Sequence, residues 1–168
     1  MAWTTPKTWS VGELVTASDM NTHLRDNLNA LKTPPSAHYV LDQASEYTTT
    51  STSFVDVDAT NLSSTITTNG GDVMVIFSGV FNHNTNGAII FLNLSVDGAN
   101  VQPEDGIVSA TLQAANRSNI VLFYMVTGLP AGSHTFRLRW KTSSGVATLH
   151  AGATAPLVHS QWIVREIS

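Results

Sequence analysis

Apolar positions along the chain follow two different periods. In the stretch SVGELVTASDMNTHLRDNLNALK, Ser10 to Lys32, they recur every three or four residues, which predicts a single amphipathic helix. From His38 onward they recur every second residue, which predicts strands. The helix is expected from Ala17 to Lys32. Thr16 can cap it, because its hydroxyl can accept a bond from a free first-turn N–H. Asp19, three residues on, completes a T-x-x-D capping box, and Pro34 and Pro35 stop the helix. Ala17, Asn21, Leu24, Leu28 and Leu31 fall at heptad spacing, about two heptads in all. So short a pair of helices does not hold in water unless something else brings the copies together. The seam therefore either associates with a partner or lies on the β-domain of its own chain. Before the helix, Met1 to Gly12 reads as an extended arm. Trp3 and Trp9 on it are expected to dock rather than stay in water.

The strands follow from alternation bounded by turn residues. HYVLDQ reads as the first. In SFVDVDAT, Val55, Val57 and Ala59 share one face, and Asp56 and Asp58 the other. SSTITT follows, and Asn69-Gly70-Gly71 is a strong turn signal. DVMVIFSGVFNHN is apolar on both faces: Val73, Val75, Phe77 and Phe81 on one, Met74, Ile76 and Val80 on the other. A strand apolar on both faces is buried on both sides. Met74, Ile76 and Val80 are therefore the candidate subunit interface. In AIIFLNLSV, Ile90, Leu92, Leu94 and Val96 form one face, and Asp97-Gly98 turns into ANVQP as a hairpin. IVSATLQAA, NIVLFYMVTGL, TFRLRW, VATLHAGA and HSQWIVREIS complete the set. The expected fold is all-β, an antiparallel jelly-roll sandwich of about nine to ten strands with one N-terminal amphipathic helix. The expected domains are 1–35, arm and helix, and 36–168, the jelly roll.

Composition narrows the function classes. Charged residues are only 12% of the 168, while the hydrophobic share is 42%, enough for a core. A surface built on Thr, Ser and Asn suits strands and suits burial against copies of the same chain. The net charge of −4 and eight dispersed Lys and Arg leave no basic stripe, so no nucleic-acid partner is expected. With no cysteine there is no disulfide framework and no thiolate metal site. The start MAWTTPKTWS has no apolar core of a signal peptide, and no run reaches the ~18 residues of a membrane span. Synthesis in a cytoplasm is expected.

No catalytic constellation is visible. The six histidines, His23, His38, His83, His134, His150 and His159, make no H-E-x-x-H, and no G-x-S-x-G or P-loop is present. Asp56 and Asp58 could suggest a calcium pair, but a solvated strand face is the plainer reading. No enzyme activity, metal or cofactor is expected. Tyr39, Tyr47, His83, Asn84, Asn86 and Asn116 are candidates for contacting a host-surface glycan, each of which can equally form a turn or pack.

Two segments carry a family resemblance. TWSVGELVTASDMNTHLRDNLNALK, Thr8 to Lys32, resembles an N-terminal signature of bacteriophage tail-fibre, head-fibre and decoration-type virion proteins. The matching residues are Trp9, Gly12-Glu13, Thr16-Ala17, Asn21 and Arg25-Asp26-Asn27. FLNLSVDGANV and VTGLPAGSHTFRLRWKTSSGVATL are similar to the β-heads of such fibres, which resemble the trimeric jelly roll of tumour necrosis factor and complement-type heads. The resemblance implies a homotrimeric virion component. Trp3 and Trp9 would anchor it to capsid, portal or tail proteins, and Asn21, Leu24, Leu28 and Leu31 would serve trimerisation or attachment. A glycan-binding module at a fibre tip is the alternative it leaves open.

Overall fold

The structure is a computed structural model that describes residues 3–42, 45–152 and 159–167. The expected strand ends at Gln43, Ala153 and Ser168, and the start of the arm at Met1 and Ala2, lie outside the described residues. The chain forms two compact units, Met1–Pro35 and Ser36–Ser168.

In the first unit the helix begins as expected. Asp19 N–H donates to Thr16 Oγ1 at 3.1 Å, and Thr16 N–H donates to Asp19 Oδ2 at 3.1 Å. The helix is not uniform, however. It runs as α1 (Ala17–Met20), a π-helical stretch (Asn21–Asp26) and α2 (Asn27–Lys32). The hydrogen bonds of Asn27 give the local reason. In an α-helix the His23 carbonyl would accept Asn27 N–H. Here the Asn27 side-chain amide bonds that carbonyl at 3.2 Å, and Asn27 N–H goes to Leu24 O. A π-turn changes the phase of later side chains, so a heptad does not run straight through it.

The arm is not simply extended. Thr4 N–H donates to Asn27 Oδ1 at 2.9 Å, and Asn27 Nδ2 donates back to Thr4 O at 2.8 Å. Lys7 bridges to Glu13 and to Asp19, and Trp9 meets His23 edge-on with centroids 6.3 Å apart.

Among the described residues the second unit holds twelve strands: β1 (Ser36–Val40), β2 (Tyr47–Thr49), β3 (Val55–Asp56), β4 (Ser63–Thr68), β5 (Gly71–His83), β6 (Ala88–Val96), β7 (Ala99–Asn100), β8 (Val108–Leu112), β9 (Ser118–Leu129), β10 (Gly132–Thr142), β11 (Ala147–Leu149) and β12 (Gln161–Glu166). The count exceeds nine or ten because β2, β3, β7 and β11 are two- or three-residue pieces. Sheet one has the order β1-β12-β5-β11-β2, with β9 on the other edge of β5. The long β5 makes this possible: β12 pairs along Val73–Ser78 and β11 along Phe81–His83. Sheet two has the order β3-β10-β6-β7, with β4 also on β10 and β8 also on β6. Every pairing between these strands is antiparallel. The chain crosses between sheets at β2–β3, β4–β5, β5–β6, β8–β9, β9–β10 and β10–β11, which is the wiring of a jelly roll. Asn69-Gly70 is thus a turn between sheets, not within a hairpin. Asp97-Gly98 is a true hairpin turn, with φ of 51° and 88° and Val96 opposite Ala99.

Alternation fills the core as the pattern predicts. Val73, Val75, Phe77 and Phe81 of β5 meet Ile90, Leu92 and Leu94 of β6 and Phe136, Leu138 and Trp140 of β10, all buried. Gly79 sits among them because nothing larger fits. A Cβ there would lie 2.6 Å from Phe77 Cζ and 2.9 Å from Leu149 Cδ1.

The Asp56–Asp58 reading needs correction. The two are not a solvated strand face, because β3 ends at Asp56. Asp56 accepts from Arg137 at 3.2 Å and lies 3.0 Å from Arg139 Nε. Asp58 caps its own turn, accepting from the N–H groups of Thr60 and Asn61 at 2.7 and 3.0 Å. No shared calcium position results.

Candidate assembly surface

The two outward sheet faces differ in chemistry. On sheet two, the outward column of β10 is Thr135, Arg137, Arg139 and Lys141, flanked by Ser63, Thr65 and Thr67 of β4. These groups are paired. Arg139 also donates to Asn100 Oδ1 at 2.8 Å. Lys141 donates to the Glu104 carbonyl at 2.6 Å and lies 4.9 and 4.7 Å from the ring centroids of Phe54 and Phe91. The segment after β7 folds over this face: Asn93 and Ser95 point away from the core yet are buried, with Asn93 Nδ2 bonded to Gln102 O.

Among the described residues of the β-unit, sheet one has no such cover. Its outward rows read across the strands. His38 stands opposite Ile163, Ile163 opposite Ile76, and Ile76 opposite Phe123. In the next rows Arg165, Met74 and Met125 are neighbours, as are Gln161, Ser78 and Val121. Met74, Ile76 and Val80 therefore lie where the period-two pattern put them, on the face opposite the core, and each is half-buried. The tertiary structure joins them to Ile163, Met125, Val121 and Phe123, the last two 50% and 56% exposed. Sequence reasoning missed these four residues. The signal was present in β9: SNIVLFYMVTGL is apolar on both parities, as β5 is, and contains no charged residue and no proline.

The first unit presents a second apolar surface. Leu24, Leu28 and Leu31 are 47%, 64% and 66% exposed, and Asn21 is exposed as well. The buried helix positions are Asn27 and Ala30. Trp3 and Trp9 are both exposed. The Trp9 ring lies under the Lys7 ammonium, 4.6 Å from centroid to Nζ.

Tyr47, His83, Asn84 and Asn86, considered for glycan contact, bond within the chain through their side chains, and Asn116 through its backbone. Tyr39 and Tyr47 pack against the core. The Tyr47 hydroxyl donates to Asp58, and burial together with that carboxylate pushes the phenol up to about 12. Burial works to raise Asp58, but bonds from Tyr47, Asn61 and Thr60 outweigh it and hold the carboxyl below its usual range. His83 is buried. Asn84 Oδ1 accepts from Val146 N–H at 2.8 Å and Asn86 Oδ1 from Ala114 N–H at 2.6 Å. Asn116 N–H donates to Gln113 O at 3.2 Å, closing a turn. Among the described residues no three His, Asp or Glu side chains converge as metal ligands, and no helix is long and apolar enough to cross a membrane.

No family model matches the chain, and no curated protein matches it. Solved structures do. The chain is similar to the infectious bursal disease virus VP2 subviral particle, at 11% identity and a TM-score of 0.48, over 80% of this chain and 38% of that one. It is similar to the Eiger TNF of S. frugiperda, at 12% identity and a TM-score of 0.45, over 80% and 94%. It is also similar to murine APRIL, at 8% identity and a TM-score of 0.42, over 80% and 100%. The chain spans less than two-fifths of the VP2 structure's length. The jelly-roll assignment rests on the chain's own strand order.

Proposed function

We propose that the chain is a non-enzymatic structural component of a bacteriophage virion. In this reading it is a homotrimeric fibre or decoration protein. The β-unit forms the projecting head, and the N-terminal unit joins other virion proteins of capsid, portal or tail. The observation that carries the proposal is the contrast between the two outward faces. Sheet two carries paired Thr, Arg and Lys side chains on β4 and β10, its Phe91 lies against the Lys141 ammonium, and the segment after β7 covers part of it. Sheet one leaves a contiguous apolar patch around Ile76, Ile163 and Phe123. An exposed apolar patch of this kind marks an interaction surface. The β9 edge adds to the argument. It is twelve residues long, pairs only with β5 among the described residues, and lacks the charges or prolines that protect free edges. A second copy of the chain covers both.

A three-fold assembly also answers the short helix. Folded heads held together raise the local concentration of the exposed Leu24, Leu28 and Leu31 seams, so helices too short to associate alone can do so. Trp3 and Trp9 then remain for contact with the virion. Light scattering on the full chain and on residues 36–168 tests the proposal. A trimer in both places the interface in the head. A monomer in both overturns it.

A further inference from the structure

One end of the β-unit is closed by side chains. Three turns meet there: β4 to β5 at Asn69-Gly70, β6 to β7 at Asp97-Gly98, and β9 to β10 at Pro130-Ala131. Thr68 Oγ1 donates to Pro130 O at 2.9 Å. The Glu166 carboxylate accepts Asn69 N–H at 2.7 Å and Asn69 Nδ2 at 2.9 Å. Asp72 Oδ1 accepts Gly128 N–H at 2.9 Å. His134, at the start of β10 and 8% exposed, joins two of the turns. Its Nδ1 lies 2.8 Å from Asp97 Oδ2 and its Nε2 3.0 Å from Pro130 O. Asp97 Oδ1 accepts Thr135 N–H at 2.8 Å.

Both atoms that face the ring are acceptors. A backbone carbonyl has no hydrogen to give, and neither has an ionised carboxylate. Both contacts are hydrogen bonds only if both ring nitrogens carry protons. His83 makes the contrast. Its Nδ1 accepts Thr85 N–H at 2.9 Å, and its Nε2 faces Thr142 Oγ1, which itself donates to Ser144 O. One proton, on Nε2, satisfies that ring.

We infer that His134 is a doubly protonated latch joining the Asp97 and Pro130 turns, and that losing one proton releases one of them and loosens this end of the β-unit in alkaline solution. Among the described residues, Asp97 is the charged group that acts on the ring. Ile66 stands opposite on β4, the β9–β10 turn is Pro130-Ala131-Gly132, and the β6–β7 turn contributes Asp97. The bonds described above place the carboxylates Asp72, Asp97 and Glu166 at this end as acceptors. The Asp97 carboxylate, then the Pro130 carbonyl, raise the His134 imidazole above its ordinary 6.5. The bond from His134, then that from Thr135 N–H, lower Asp97 below its ordinary 3.8. The sign follows from linkage. The histidine contribution is complete below 6.5 and is lost as pH rises through the higher folded value. The aspartate contribution is present above 3.8 and is lost as pH falls through the lower folded value.

The test is a pH titration of the full chain labelled with 15N-histidine, reading the ring nitrogens by two-bond correlation and the backbone amides alongside. The expected result is protons on both His134 nitrogens at pH 6.5, and a single step on the alkaline side of that pH. The amides of Ala131 and Thr135 should shift in the same step. Asp97→Asn keeps a residue tolerant of the left-handed turn and should move the step to lower pH. A ring with one proton at pH 6.5 overturns the inference, and so does a step that Asp97→Asn leaves in place. The wild-type spectrum decides the matter if the variant does not fold.

Discussion

Replacing Phe123 by Ser separates the proposed assembly from the fold. Phe123 is 56% exposed on the outward face of β9. Of the ~150–250 Å² a phenylalanine can bury, roughly 100 Å² is therefore free for a partner. At ~25 cal/mol per Å², that is about 2.5 kcal/mol per subunit and about 7 kcal/mol over three copies. The overall dissociation constant of a trimer should rise by roughly five orders of magnitude. The isolated subunit loses much less, ~1 kcal/mol or below, because no core contact is removed. The assay is light scattering over a dilution series, with thermal unfolding of each species measured in parallel. Phe123→Ser should dissociate at concentrations where wild type holds, while the subunit keeps a cooperative melt. Thr67→Lys, on the exposed outward face of sheet two, is the control and should leave the mass unchanged. An unchanged trimer in the Phe123 variant would refute the interface, and loss of the fold would refute the claim that this residue serves assembly.

Four further outcomes follow from the geometry. Gly79→Ala should destabilise the β-unit by about 1–3 kcal/mol in chemical denaturation, since its Cβ has no room between Phe77 and Leu149. In an alkaline absorbance titration, one of the three tyrosines should ionise only near pH 12, and Tyr47→Phe should remove that step. Asn27→Ala removes both bonds to Thr4, so limited proteolysis should cut the arm around Thr4 to Lys7 faster than in wild type. Deleting residues 1–35 should leave a folded head that no longer joins the virion, measured by co-sedimentation with particles; an unfolded remainder would count against two independent units.

Several features could be read from a few adjacent residues. Period-two alternation is set by each strand's own geometry, so the core face of β5 and the outward Met74, Ile76 and Val80 were both visible in thirteen residues. The Thr16–Asp19 capping box and the Asp97-Gly98 hairpin also lie within a few residues. Other features depend on distant chain. The arm folds back on the helix because Asn27 bonds Thr4, twenty-three residues away. The Asp56–Asp58 pattern looked like one face, but Arg137 and Arg139 of β10 and the turn at Thr60 divide the two carboxylates between them.

The sequence by itself determined the class: a helix, then antiparallel strands with one apolar face to spare, in a weakly charged, cysteine-free chain. The tertiary structure alone decided which strands adjoin. That step brought Ile163 and Phe123 to either side of Ile76 and made three separate apolar runs into one patch. It also laid the chain after β7 over sheet two and set His134 between Asp97 and Pro130. The physical reason is that a side chain's direction follows from the local backbone, whereas its neighbours follow from a pairing register settled by burial across the whole sandwich.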